Sequence, residues 1–222
     1  LLRVQWNSLE LILTTITDFQ HRILSSFNPL CRMLFGNISA NNVSRFVNEI
    51  DNSKRQWYSI HQFDPDDKRR RANSSWSDVV ELYNRMTVGL VEANHYILQY
   101  VDGLLSEYGL GYNDLFLCGF SQGAMCALYS GLMCPHKLGG VISFSGILAA
   151  KGYIEKHSKS RPECLLMHGK EDDKIRIGAL EFTKQNLVGL GCKVNTIELD
   201  EGVHKILPEE IKKVCTFIKK RM

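Results

Sequence analysis

The sequence predicts an α/β fold, a mostly parallel central sheet flanked by helices. Three observations carry that expectation. From Gln56 onward, short apolar runs alternate with helical patterns, the signature of repeated strand–helix units. The 222 residues, 44% of them hydrophobic, suffice for one well-buried core and are too few for two, so residues 1–222 read as a single domain. A serine flanked by glycines falls where a strand pattern meets a helix pattern.

Residues 1–55 read as a divergent N-terminal segment. A helical pattern is plausible over 7–24, and the remainder is rich in Asn and Ser with no clear strand. The recognisable core spans 56–222. Residues 56–60 suit a short strand or extended segment. Residues 77–108 suit one long amphipathic helix, with Ser77-Asp78 as its cap and Gly109 and Gly111 as its stop. A buried strand over 114–120, a helix over 122–133 and a strand over 140–144 follow. Next come a strand over 163–168, a helix over 175–188, a strand over 193–199 and a closing helix over 208–220. Pro208 fits the first turn of that helix, where its missing N–H is harmless.

The net charge of +3, with 23% charged residues, makes no case for a nucleic-acid partner. The run Lys68-Arg69-Arg70-Arg71 follows Asp64, Asp66 and Asp67 and reads as a solvated loop. Seven cysteines without a CxxC pair, mostly inside apolar runs, suit reduced thiols and a cytoplasmic setting. No signal-peptide pattern opens the chain, and no apolar run approaches the roughly 20 residues of a membrane span.

An alcohol is a poor nucleophile at neutral pH, so a catalytic serine needs an imidazole base and an exposed perch. Gly119-Phe120-Ser121-Gln122-Gly123 supplies the perch, because a strand-to-helix turn this tight has room only for glycine two positions either side of Ser121. Alone, such a spacing is also an ordinary glycine-flanked turn; its place between strand and helix favours a nucleophile. Asp172, in the loop after the strand ending Met167-His168-Gly169, is the candidate acid, although the cluster Glu171-Asp172-Asp173 could only cap the next helix, a task suited to Asp173. His204, after the last strand, is the candidate base. The order Ser121, Asp172, His204 is that of an α/β-hydrolase. His168 is the one rival base, better placed for a structural hydrogen bond, while His21, His61, His95, His136 and His157 lack the required position. The backbone N–H of Gln122 is one expected oxyanion donor. No glycine pattern of a nucleotide-binding loop follows any strand.

Taken together, Gly119-Phe120-Ser121-Gln122-Gly123, His168-Gly169-x-x-Asp172 and Gly202-Val203-His204 resemble the three motifs of the acyl-protein thioesterase and carboxylesterase group, the phospholipase/carboxylesterase family. The spacings, 51 positions from Ser121 to Asp172 and 32 from Asp172 to His204, agree with it. Trp57-Tyr58 and the strand ending Ser145-Gly146 are similar to further family segments. The resemblance covers residues 56–222. It implies hydrolysis of esters or thioesters of hydrophobic acyl groups, lysophospholipids or S-acylated proteins among them, by an acyl-enzyme on Ser121, with no metal or organic cofactor and a homodimer as one admissible assembly. The family's opening strand and Leu-His-Gly loop, which donates the second oxyanion hydrogen bond, are not spelled in residues 1–55, where Gly36 is the only glycine. The competing expectation is therefore a catalytically impaired relative that acts by binding.

Overall fold

The computed structural model describes residues 11–13, 57–58 and 75–221, the first of these as backbone only. Five parallel strands form one sheet in the order β1 (Leu11–Leu13), β2 (Phe116–Phe120), β3 (Gly140–Phe144), β4 (Cys164–Gly169) and β5 (Val194–Leu199). Six α-helices accompany them among the described residues: α1 (Trp76–Asn84), α2 (Thr87–Tyr108), α3 (Gln122–Met133), α4 (Lys151–His157), α5 (Gly178–Gly189) and α6 (Pro208–Lys219).

Strands β2, β3 and β4 are near-continuous apolar runs because both faces are covered. Leu117, Val141 and Leu166 point toward α1 to α5, in one cluster with Val79, Leu90, Leu128, Ile154 and Leu187. Phe116, Cys118, Ile142 and Phe144 point the other way, onto Val214, Phe217 and Ile218 of α6. The period of two in the strands thus sorts side chains between two cores. Helix α3 lies innermost and is buried from Gly123 to Met133. Strand β5 is the edge of the described sheet and exposes Asn195, Thr196 and Glu198. Cys118, Cys126, Cys134, Cys164 and Cys192 are buried free thiols, and Cys215 is partly exposed. No helix among the described residues is long and apolar enough to cross a membrane.

Three sequence expectations are corrected. Leu11–Leu13 is a strand in register with Phe116, Leu117 and Cys118, not part of a helix over 7–24; so short an apolar run is ambiguous, and pairing with the free side of β2 decides it. The single helix over 77–108 is two. Arg85 and Met86 donate to carbonyls only three residues back, and the Thr87 hydroxyl takes the Asn84 carbonyl at 2.5 Å, which ends the ladder of α1. The cap of α1 is Ser75, whose hydroxyl accepts the Asp78 N–H, two residues before the expected Ser77-Asp78 start. Trp57 and Tyr58 form a bend. The other residues of 1–74, including His21, Gly36, His61 and the Lys68-Arg71 run, lie outside the described residues.

Helix α2 ends at Gly109 in the left-handed conformation, as expected of a stop glycine. Helix α6 begins with Pro208, and the Leu207 N–H donates to Glu210 at 2.6 Å. Burial pushes the Glu210 carboxyl up to about 7, against the lowering effect of that N–H.

Candidate active site

Parallel strands deliver their following loops to one edge of the sheet, and there β2, β4 and β5 release Ser121, Asp172 and His204. Between β2 and α3 the chain has no connecting loop, so Ser121 alone makes the turn, at φ 53° and ψ −117°. Such a conformation costs a non-glycine residue about 1–3 kcal/mol and persists only when its surroundings enforce it. Here the Ser121 N–H donates to Phe144 at 2.9 Å, and its carbonyl accepts from Ala124 and Met125 at 3.0 and 3.2 Å. A Cβ on Gly119 would lie 2.0 Å from the Gly123 carbonyl oxygen, which no adjustment of a side chain could relieve.

The acid and base loops are fastened to each other. The backbones of Gly169 and Gly202 touch so closely that a Cβ on Gly169 would lie 2.0 Å from the Gly202 oxygen. Lys170 and Glu171 N–H groups donate to Leu199 and Gly202 across the same seam, both at 2.9 Å. The result places His204 between the other two side chains. Its Nε2 is 3.0 Å from Ser121 Oγ and its Nδ1 is 2.8 Å from Asp172 Oδ2. The Phe120 ring lies 4.7 Å from the imidazole, centre to centre.

Asp172 is buried, and its Oδ1 accepts the Lys174 and Ile175 N–H groups at 2.9 and 2.8 Å. Burial alone would raise its affinity for a proton. The hydrogen bonds from His204 and Ile175, with a further contribution from the Ser145 hydroxyl, outweigh burial and hold the carboxyl below its ordinary value. Asp173 instead pairs with Lys174 at 2.9 Å and caps nothing, since α5 starts only at Gly178 with no side-chain cap.

His168 Nε2 sits 2.7 Å from the Ile175 carbonyl and 3.5 Å from Asp172 Oδ2. A carbonyl can only accept, so Nε2 carries the ring proton. Burial pushes this histidine below its ordinary value despite that bond and the nearby carboxylate, so it stays neutral and braces the acid loop. His95, His136 and His157 pack on Tyr96, Tyr112 and Tyr153, away from the three loops.

Chemically, the chain of contacts can pass a proton from the Ser121 hydroxyl to an imidazole whose resulting positive charge faces a buried carboxylate. Gln122 follows as the first residue of α3, where a backbone N–H has no partner within the helix. Its side chain does something that no local pattern signals: Oε1 accepts the Trp57 N–H and Nε2 donates to the Tyr58 carbonyl, both at 2.9 Å. The partners are 64 and 65 positions away, beyond the reach of motif reading. Strand β1 runs alongside β2 in the same direction, so its carboxyl end faces the edge that holds Ser121.

The profile of the phospholipase/carboxylesterase family matches residues 37–222. Among curated proteins, acyl-protein thioesterase 1 of Saccharomyces cerevisiae is 28% identical over 122 residues, which cover 52% of this chain and 53% of that protein. The chain therefore spans about half the length of the curated relatives it matches. Among solved structures, esterase PE8 is 32% identical with a TM-score of 0.59, covering 61% of this chain and 63% of that one. SOBER1 of Arabidopsis thaliana is 26% identical with a TM-score of 0.57, covering 60% and 65%.

Proposed function

The chain belongs to the phospholipase/carboxylesterase family, and on that premise we propose that it is a serine hydrolase that cleaves carboxylic esters or thioesters of hydrophobic acyl groups. The observation that carries this reading is the continuous hydrogen-bonded relay from Ser121 through His204 to Asp172. In this reaction Ser121 Oγ attacks the acyl carbon as His204 Nε2 takes its proton. His204 then returns the proton to the departing alcohol or thiol, and the acyl group remains on Ser121. Water, deprotonated by the same imidazole, attacks the acyl-enzyme, and the acid leaves as Ser121 recovers its proton. Asp172 fixes the His204 tautomer and faces its charge in both halves.

The Gln122 N–H is the first oxyanion donor in this scheme; the Leu-His-Gly loop that supplies the second in the family is not spelled in residues 1–55. A small cleft of mixed polarity, lined by Trp76, Tyr83, Ile147, Lys174, Ile175 and Arg176, lies beside the acid loop, since the Ile175 N–H is itself an Asp172 partner. Esterase and acyl-protein thioesterase relatives support acyl esters and thioesters, including S-acylated proteins, as the substrate class.

A fluorophosphonate probe tests the reading: it labels the wild type and leaves Ser121→Ala unlabelled. Labelling that survives the substitution would overturn the role of Ser121. Rates on p-nitrophenyl butyrate, a palmitoyl thioester and lysophosphatidylcholine then separate the substrate classes. The absence of a Leu-His-Gly spelling in residues 1–55 favours a second reading, a binding protein with impaired catalysis. Loss of one oxyanion donor slows turnover about 10²–10³-fold, so brisk hydrolysis of the butyrate ester excludes it.

A further inference from the structure

We propose that the Gln122 side chain is a positioning device: it clamps the Trp57-Tyr58 backbone onto the nucleophile turn and so fixes the direction of its own N–H. The proposal rests on the hydrolase reading above. One amide group engages the N–H of Trp57 and the carbonyl of Tyr58, two groups of adjacent residues, at 2.9 Å each. Only an oxygen can accept that N–H and only an NH₂ can donate to that carbonyl, so the amide has one orientation.

The far side of the clamp is anchored. Trp57 and Tyr58 are both buried, and a Cβ on Gly89 of α2 would lie 2.6 Å from the Tyr58 Cβ. The Tyr58 hydroxyl ends between two sulfurs, 3.4 Å from Met86 and 3.3 Å from Met125. Met125 is three residues after Gln122, so the first turn of α3 is pinned to the same bend at two points. Gln122 immediately follows Ser121, whose backbone is strained toward a positive φ. Relaxing that strain would rotate the shared peptide, which carries the Gln122 N–H. A side chain held at two points on a buried bend opposes the rotation, and the donor stays aimed at the position where negative charge develops.

Three measurements on the full chain test this. Gln122→Met keeps the length and the backbone N–H but removes both clamp bonds. Its kcat per fluorophosphonate-labelled serine falls about 10-fold, with KM for p-nitrophenyl butyrate within about twofold of wild type, as expected of a donor that acts on the transition state. A merely structural role would lower the labelled fraction and leave kcat per labelled serine unchanged.

Gln122→Glu supplies the rescue. Ionised, its carboxylate faces the Tyr58 carbonyl without a proton to donate; protonated, it offers an O–H to that carbonyl and an oxygen to the Trp57 N–H. Its kcat/KM relative to wild type therefore rises as pH falls from 8 to 5.5. His204, His168 and Asp172 are the other ionisable groups of the site and are present in both proteins, so the profile is read as a ratio to wild type. Burial pushes Tyr58 and Cys126 up, so both stay neutral throughout. Third, hydrogen exchange at the Trp57 amide accelerates in Gln122→Met, a readout independent of turnover. A kcat per labelled serine within twofold of wild type in Gln122→Met, a pH-independent ratio in Gln122→Glu, or unchanged Trp57 protection would each overturn the clamp. A wild type without Ser121-dependent labelling would instead overturn the hydrolase reading, and Trp57 exchange would still decide the clamp.

Discussion

The turn that carries Ser121 and the loops that carry Asp172 and His204 hold these side chains by different means. At the turn, position is set by backbone shape: Ser121 at φ 53° and the closeness of Gly119 to the Gly123 carbonyl. In the loops after β4 and β5, a backbone seam at Gly169 and Gly202 joins the two segments, and hydrogen bonds of ionisable side chains, those of Asp172, His204 and His168, set the functional groups within them. Backbone shape is indifferent to pH and intolerant of volume. Hydrogen bonds of titratable groups are tolerant of isosteric change but sensitive to protons. The two halves of the site therefore fail in different ways.

The largest expected effect is at the turn. Gly119→Ala forces a contact of 2.0 Å between Cβ and backbone, and the loss should exceed about 4 kcal/mol, read as absence of soluble, cooperatively unfolding protein. On the loop side, Asp172→Asn should fold and melt within a few degrees of wild type yet lower kcat about 10³–10⁴-fold, because the amide stabilises the wrong imidazole tautomer. If Gly119→Ala folds normally, or Asp172→Asn unfolds, the contrast between shape and hydrogen bonding is broken.

Smaller effects sharpen it through pH. The His168 pKa is depressed in the fold, so as pH drops through the ordinary histidine value the unfolded chain takes up a proton that the folded chain refuses. Stability falls accordingly, and urea midpoints between pH 7.5 and 5 should decline less steeply in His168→Gln than in wild type. Parallel slopes would sink this account of the acid-loop brace. Asp172, also depressed, adds stability above its unfolded value that is lost at still lower pH, as pH falls through its folded value.

Glu210 works in the opposite sense. Its pKa is raised to about 7, so between the ordinary carboxylate value and 7 the folded chain holds the extra proton and stability falls as pH rises. Glu210→Gln should melt about 3 °C above wild type at pH 8, with the gap closing by pH 5. A gap that does not depend on pH would show that the Glu210 charge is not the cause.

The same division explains what could be read beforehand. Strands β2 and β3 and helix α3 were legible nearly to the residue, because a buried parallel strand and an inner helix are unbroken apolar runs bounded by glycine. The glycine-flanked serine, a constraint of shape, leaves its mark in neighbouring letters. The break between α1 and α2 does not, since it depends on which carbonyl the Thr87 hydroxyl chooses. Helix α4 was not anticipated; it has only seven residues, under two turns of usable periodicity. Strand β1 was hidden by its brevity and by needing β2 beside it. In the site, Asp172 and Asp173 were separable only by what each carboxylate touches. The Gln122 clamp joins positions far apart in the chain, so no local spacing announces it.

The backbone contact between Gly169 and Gly202 also bears on how this framework can change. Two loops that meet without side chains between them have no slack to absorb an insertion in either one. The segments carrying Asp172 and His204 should be exchangeable with those of a relative only as a matched pair. A graft of either alone would separate the Asp172 carboxylate from the His204 imidazole, even with both residues retained.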